Sequence, residues 1–185
     1  MKITKIKLKN YRCFKNETEF LIDDLTCIIG KNDIGKSTII EALDAFFNEK
    51  IDQGDLSTTA GSNSVEITCY FDGIPEQIIL DTSVMTSPVE EGVLNNDGQL
   101  EVKKVFSFGA KTTKATFING FHPNDERIKD ILSKKNSQLK NLAEDLGIDL
   151  SDINKAKNPP IRNKIREFIG GERCLLYTSP SPRDS

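Results

Sequence analysis

Gly30-Lys31-Asn32-Asp33-Ile34-Gly35-Lys36-Ser37 satisfies the phosphate-loop pattern G-x-x-x-x-G-K-[ST] in full. Glycine lets the backbone approach a phosphate with no β-carbon in the way. The N–H groups of such a loop, and of the helix it opens, then converge on the phosphate oxygens. Lys36 supplies a full positive charge for the β- and γ-phosphates, Ser37 a hydroxyl for Mg²⁺, and Thr38 is placed near the α-phosphate. Gly30, Lys31, Asn32, Asp33, Gly35, Lys36, Ser37 and Thr38 are therefore the candidate nucleotide-binding residues, with Ser37 the candidate metal ligand. The alternative is a glycine turn with no ligand. That would set a lysine beside the positive end of a helix dipole with no anion to offset it.

Such a loop needs a strand before it and a helix after it. Leu25-Thr26-Cys27-Ile28-Ile29, a short apolar run ending at glycine, reads as a buried strand. From Ser37 to Asn48, Ile39, Ile40, Leu43, Phe46 and Phe47 recur on one face of a helix. Upstream, the alternation of Ile3, Ile6 and Leu8 with lysines predicts a strand over residues 2–9, and Asp23-Asp24 a turn.

Downstream, residues 52–64 read as a loop rich in Gly, Ser, Thr and Asp. Strands follow over Val65–Phe71, 76–80, 100–108 and 113–119. From Asn124 the pattern turns helical through Ile128, Ile131, Leu132, Leu139, Leu142 and Leu146, stopping at Gly147. Pro159-Pro160 opens another helix that Gly170 closes. The expected fold class is α/β, with an antiparallel sheet inserted after the first helix.

Other residues that could do chemistry lack company. Gln77-Ile78-Ile79-Leu80-Asp81 imitates a magnesium-binding acidic strand, but Thr82 stands where a catalytic glutamate belongs, so it is read as structural. Phe168-Ile169-Gly170-Gly171-Glu172 echoes a signature motif without its serine, and a helix cap explains those glycines better. His122, the only histidine, has no partner at metal-ligand or triad spacing, and lies at an expected strand-to-helix junction. Cys13, Cys27, Cys69 and Cys174 form no C-x-x-C pair, and no D-x-D supplies a two-metal nuclease site.

With 185 residues, 37% hydrophobic and 29% charged, the composition fits one globular domain. A net charge of −3 does not advertise nucleic-acid binding by itself. No apolar run approaches the roughly 20 residues that span a bilayer, and the N-terminus lacks a leader pattern, so no membrane contact and a cytoplasmic location are expected.

Ile6-Lys7-Leu8-Lys9-Asn10-Tyr11-Arg12-Cys13-Phe14, Leu25–Asn32 and Gly35-Lys36-Ser37-Thr38-Ile39-Ile40-Glu41-Ala42-Leu43 together resemble the ABC-type ATPase heads of the RecF, SMC and OLD (overcoming lysogenization defect) group. The resemblance implies a P-loop NTPase head, ATP with Mg²⁺ as cofactors, and a nucleotide contact from Arg12. It also implies an assembly of two or more copies, acting on DNA. Small residues are usual where this loop has Asp33-Ile34, so the Asp33 carboxylate is expected to point away from phosphate. Thr116-Phe117-Ile118-Asn119-Gly120 resembles the strand ending in Ile-Asn-Gly of these heads, and Asn158–Arg166 is most similar to OLD-family ATPases, in which a Toprim nuclease follows the head. A RecF- or SMC-like repair ATPase without nuclease is the alternative. An ABC transporter ATPase would lack the Asn-Tyr-Arg start.

Cys174-Leu-Leu-Tyr-Thr-Ser-Pro-Ser-Pro-Arg-Asp-Ser185 loses every helical or strand period and matches a translated transposase adapter of sequencing libraries. Residues 1–173 are thus expected to be the first part of an ATPase domain, and 174–185 an artefactual tail that is irregular and packs on nothing. Signature, acidic-strand and nuclease parts would lie beyond residue 173, so binding of ATP without its turnover is expected.

Overall fold

The computed structural model describes residues 1–30, 35–79, 85–170 and the backbone of 173–178. In chain order the elements are β1 (Lys2–Lys9), β2 (Thr18–Leu21), α1 (Lys36–Asn48), β3 (Ser64–Asp72), β4 (Ile78–Ile79), β5 (Met85–Thr86), β6 (Leu100–Ser107), β7 (Thr113–Pro123), α2 (Asn136–Asp145), α3 (Asn158–Ile169) and β8 (Arg173–Thr178). Short 3-10 turns lie at Gln53–Asp55 and Ile131–Ser133.

The chain forms two compact units, one of which comprises Lys2–Asp72 and Val102–Thr116. There β2, β1, β3 and β6 lie side by side in that order. β1 runs antiparallel to both neighbours, with Ile6 opposite Phe20 and Cys69, and Leu8 opposite Thr18 and Ile67. The period of two puts Ile6 and Leu8 on one face, where both are fully buried with Val65, Ile67 and Cys69 of β3. On the other face, Lys5 and Lys7 approach Glu19, and Lys9 meets Glu66 at 2.8 Å.

α1 adds Ile39, Ala42, Ala45 and Phe46 to the buried set of this unit. This corrects the expected apolar face: Ile40 and Phe47 are exposed, because the helix turns its small alanines inward and seats Phe46 against Phe71 at 6.2 Å. Residues 25–29 also depart from expectation. They form no strand, and Leu25 and Ile29 are about nine-tenths exposed, at 91% and 89%. An apolar strand is buried only between neighbours, and no described strand pairs with this run.

The second unit comprises Met1, Gly73–Glu101 and the chain from Phe117 onward. Its helical part follows the sequence reading at α2 and α3. Gly147 ends the first with φ of 71°, and Pro159-Pro160 sits in the first turn of the second, which Gly170 closes with φ of 57°. Ile128, Ile131, Leu132, Leu139, Ile161 and Ile165 fill its core. Residues 124–133 make turns rather than a continuous helix.

β7 runs on to Pro123, so His122 is a buried strand residue and not a junction, and Asn119-Gly120 lies inside the strand. Gly120 is needed there, since a β-carbon would fall 2.1 Å from the Gly92 carbonyl oxygen. Of the tail expected to be irregular over 174–185, residues 179–185 lie outside the described residues, and Arg173–Thr178 is a strand. It pairs antiparallel with β7, from Ile118 opposite Thr178 to Pro123 opposite Arg173. Leu, Tyr and Thr suit a pleated strand, and β7 supplies its antiparallel partner.

Candidate phosphate-loop site

The Asn10–Phe14 corner at the end of β1 braces the helix that carries the loop lysine. Tyr11 and Phe14 exchange backbone N–H···O bonds of 3.0 and 2.8 Å, and the Asn10 amide group donates to Ser62 Oγ and the Ser64 carbonyl. Two non-glycine residues here, Asn10 and Arg12, hold left-handed φ values of 58° and 49°. Such conformations persist only where surrounding bonds over-determine them.

The corner abuts Gly35, which precedes α1 with φ of 80°. A β-carbon on Gly35 would lie 2.6 Å from Cys13 Sγ and 3.2 Å from the Phe14 ring. Gly35 is thus glycine for two reasons, its backbone angle and the side chains seated over it. Lys36 begins α1, and its ammonium donates to the Gly30 carbonyl, tying together the two ends of the loop. Among the described residues, no side chain caps the start of α1 and no acidic residue occupies its first turn. A helix start directs its N–H groups and the positive end of its dipole outward, and with Lys36 at its mouth the described residues fit a bound phosphate. Ser37 is exposed, whereas Thr38 is buried at 7% exposure.

Arg12 stands beside this helix with its guanidinium between two carboxylates. Nε donates to Asp55 Oδ1 at 2.8 Å and Nη1 donates to Glu41 of α1. The backbone N–H of Arg12 adds a 2.7 Å bond to the Asp55 carbonyl. The Asp55 hydrogen bond holds the guanidinium pKa above its ordinary value. Burial, then the nearby Asp55 charge, raises the phenol of Tyr11.

Of the residues expected at the site, the structure brings Gly30, Gly35 and Lys36 together and sets Arg12 against the same helix. Lys31, Asn32 and Asp33 lie outside the described residues, as do Leu80, Asp81, Gly171 and Glu172. Glu41 and Asp55 were not singled out by sequence. Glu41 carried a usable signal, since it follows Ser37 by one helical turn, but Asp55 is 43 residues from Arg12 in a polar loop. Among the described residues no three His, Cys, Asp or Glu side chains converge as a metal site, and no helix is long and apolar enough to cross a membrane.

A family profile described as the AAA ATPase domain matches residues 1–171. The chain belongs to the AAA ATPase domain family. It is accordingly an ATP-binding ATPase domain of P-loop NTPase fold, and the mixed α/β architecture with antiparallel strands agrees with that assignment. No curated protein matches it.

Two solved structures are similar to this AAA ATPase domain over about two-thirds of its length. One, from work on ATP-driven dimerization and DNA-stimulated activation of SMC ATPases, is 16% identical with a TM-score of 0.43, covering 64% of this chain and 69% of that one. The other, the SMC head domain from Thermotoga maritima, is 21% identical with a TM-score of 0.42 over 63% of this chain. The chain spans 37% of the length of that head-domain chain.

Proposed function

We propose that Gly30, Lys31, Asn32, Asp33, Gly35, Lys36, Ser37 and Thr38 bind ATP with Mg²⁺, that Ser37 is the protein ligand to the metal, and that Arg12 touches the nucleotide. The observation that carries this reading is the complete loop motif joined directly to the start of α1, with Lys36 at its mouth. Lys36 leaves the Gly30 carbonyl for the β- and γ-phosphates, the α1 N–H groups hold phosphate oxygens, and Ser37 orients the metal. Mg²⁺, held by Ser37, would supply charge neutralisation at the phosphates.

In the whole protein, we infer an ATP-dependent DNA endonuclease of the OLD type that works in the cytoplasm as a homodimer or larger assembly. The similarity of Asn158–Arg166 to OLD-family ATPases supports it, as does the Asn10-Tyr11-Arg12 start that this group shares with RecF and SMC heads. Residues 1–173 would then be the front part of the ATPase head.

Calorimetric titration with MgATP tests the site. Lys36→Ala is expected to cost about ten- to hundredfold in affinity, the worth of charge-assisted bonds to phosphate. Affinity equal to that of the parent chain refutes the assignment. For the whole protein, ATP-dependent nicking or cleavage of plasmid DNA supports the OLD reading, and DNA binding without cleavage supports the RecF- or SMC-like one.

A further inference from the structure

Arg12 is held by two carboxylates that differ in how firmly they are themselves held. Asp55 is fixed at both ends of its residue. Its carbonyl takes the Arg12 N–H at 2.7 Å, Oδ1 takes the Arg12 Nε–H at 2.8 Å, and Oδ2 takes the Asp52 N–H at 3.1 Å, closing the turn from which Asp55 projects. Its side chain is only 15% exposed. Leu56 bridges Tyr11, and the Ser57 N–H donates to the Asn10 carbonyl at 2.9 Å, so the whole turn is docked on the corner.

Glu41 is the opposite kind of partner. It is 44% exposed and, among the described residues, holds Nη1 alone. Because it follows Ser37 by four residues, it shares a face of α1 with that hydroxyl, so it keeps one Arg12 donor beside the face that carries the metal-ligand candidate. A half-exposed carboxylate that lets go of a guanidinium regains water at little cost, whereas Asp55 could do so only by opening its turn.

We propose that Asp55 is a positioning residue that permanently aims Arg12, and that Glu41 is a displaceable counter-ion that occupies Nη1 until a nucleotide phosphate replaces it. The proposal rests on the reading of residues 30–38 and Arg12 as nucleotide contacts. A phosphate offers the fork of arginine the same planar pairing as a carboxylate with more charge, so the exchange favours the nucleotide. The two carboxylates on one arginine therefore act with opposite sign. Asp55 raises nucleotide affinity and Glu41 lowers it.

The test is MgATP affinity by calorimetry for Glu41→Gln, Asp55→Asn and Asp52→Ala, each alone and combined with Arg12→Ala, with melting temperatures alongside. Glu41→Gln is expected to tighten binding about two- to fivefold, the worth of an exposed ion pair. Asp55→Asn should weaken it about tenfold, on the scale of one charge-assisted bond. Both shifts should vanish in the Arg12→Ala background. Asp52→Ala loosens the same turn and should lower the melting temperature while leaving affinity unchanged. A Glu41→Gln gain that survives Arg12→Ala would mean general charge repulsion and overturn the displacement idea. An Asp52→Ala loss equal to that of Asp55→Asn would make Asp55 merely structural. Should Asp55→Asn fail to fold, the Glu41 arms still decide the exchange. If Lys36→Ala binds MgATP as well as the parent chain, it is the loop assignment that falls, a result none of the carboxylate arms imitates.

Discussion

Two clusters in which an arginine meets carboxylates from elsewhere in the chain, both among the described residues, share their chemistry and differ in exposure. In one, Glu91 is fully buried between Arg162 and Arg166, whose side chains are 1% and 3% exposed. Arg162 grips it with Nε and Nη2 at 2.9 and 2.6 Å, Arg166 adds a 3.0 Å bond, and Thr86 donates a 3.3 Å bond. Further Arg166 N–H groups go to the carbonyls of Glu90 and Glu91. In the other, Arg12 and Glu41 are 40% and 44% exposed. Dry bonds have no water to replace them, so the first cluster locks α3 to the 86–91 segment. Wet bonds can be exchanged for a ligand, so the second can take part in binding.

Truncating one carboxylate in each cluster gives the sharpest contrast. Glu91→Ala leaves two buried guanidinium groups facing each other and should cost about 3–5 kcal/mol in urea unfolding. Glu41→Ala should cost less than about 1 kcal/mol. Equal losses would break the comparison, because exposure would then decide nothing.

The next effect lies where the wet cluster meets the loop. Gly35→Ala adds a carbon 2.6 Å from Cys13 Sγ at φ of 80°, and should destabilise by about 1–3 kcal/mol while weakening MgATP binding. Adding Cys13→Ala removes the sulfur contact but not the backbone strain, so recovery should be partial. Full recovery would show that the angle costs nothing.

The smallest effect is in pH. Burial pushes the Cys69 thiol from 9.0 up to about 12. The unfolded chain therefore loses this proton first as pH rises, and the folded state binds more protons between those values. Stability should be complete below about pH 9 and decline toward pH 12, and Cys69→Val should flatten that decline in pH-dependent thermal melts. An unchanged slope would assign it to other groups.

The parts legible in the sequence are those in which local pattern and burial coincide. β1, β3, α1 and the proline-opened, glycine-closed α3 fall where alternation, helical period and capping residues put them. Residues 25–29 misled because an apolar run specifies a strand only together with neighbours, and β8 misled because periodicity cannot report an available partner edge. At the site, the loop motif named Gly35 and Lys36 outright. Asp55 and Glu91 were hidden, since a carboxylate's value depends on which arginine the fold brings to it from 43 or 71 residues away.

The closeness of β7 to Gly92 ties the sealed cluster to a residue that has no side chain. A methyl at position 120 would meet the Gly92 oxygen at 2.1 Å, and Gly92 immediately follows Glu91. A side chain at position 120 would thus push on the peptide next to Glu91, so that a change in a strand far along the chain would reach the arginines of α3 through the backbone.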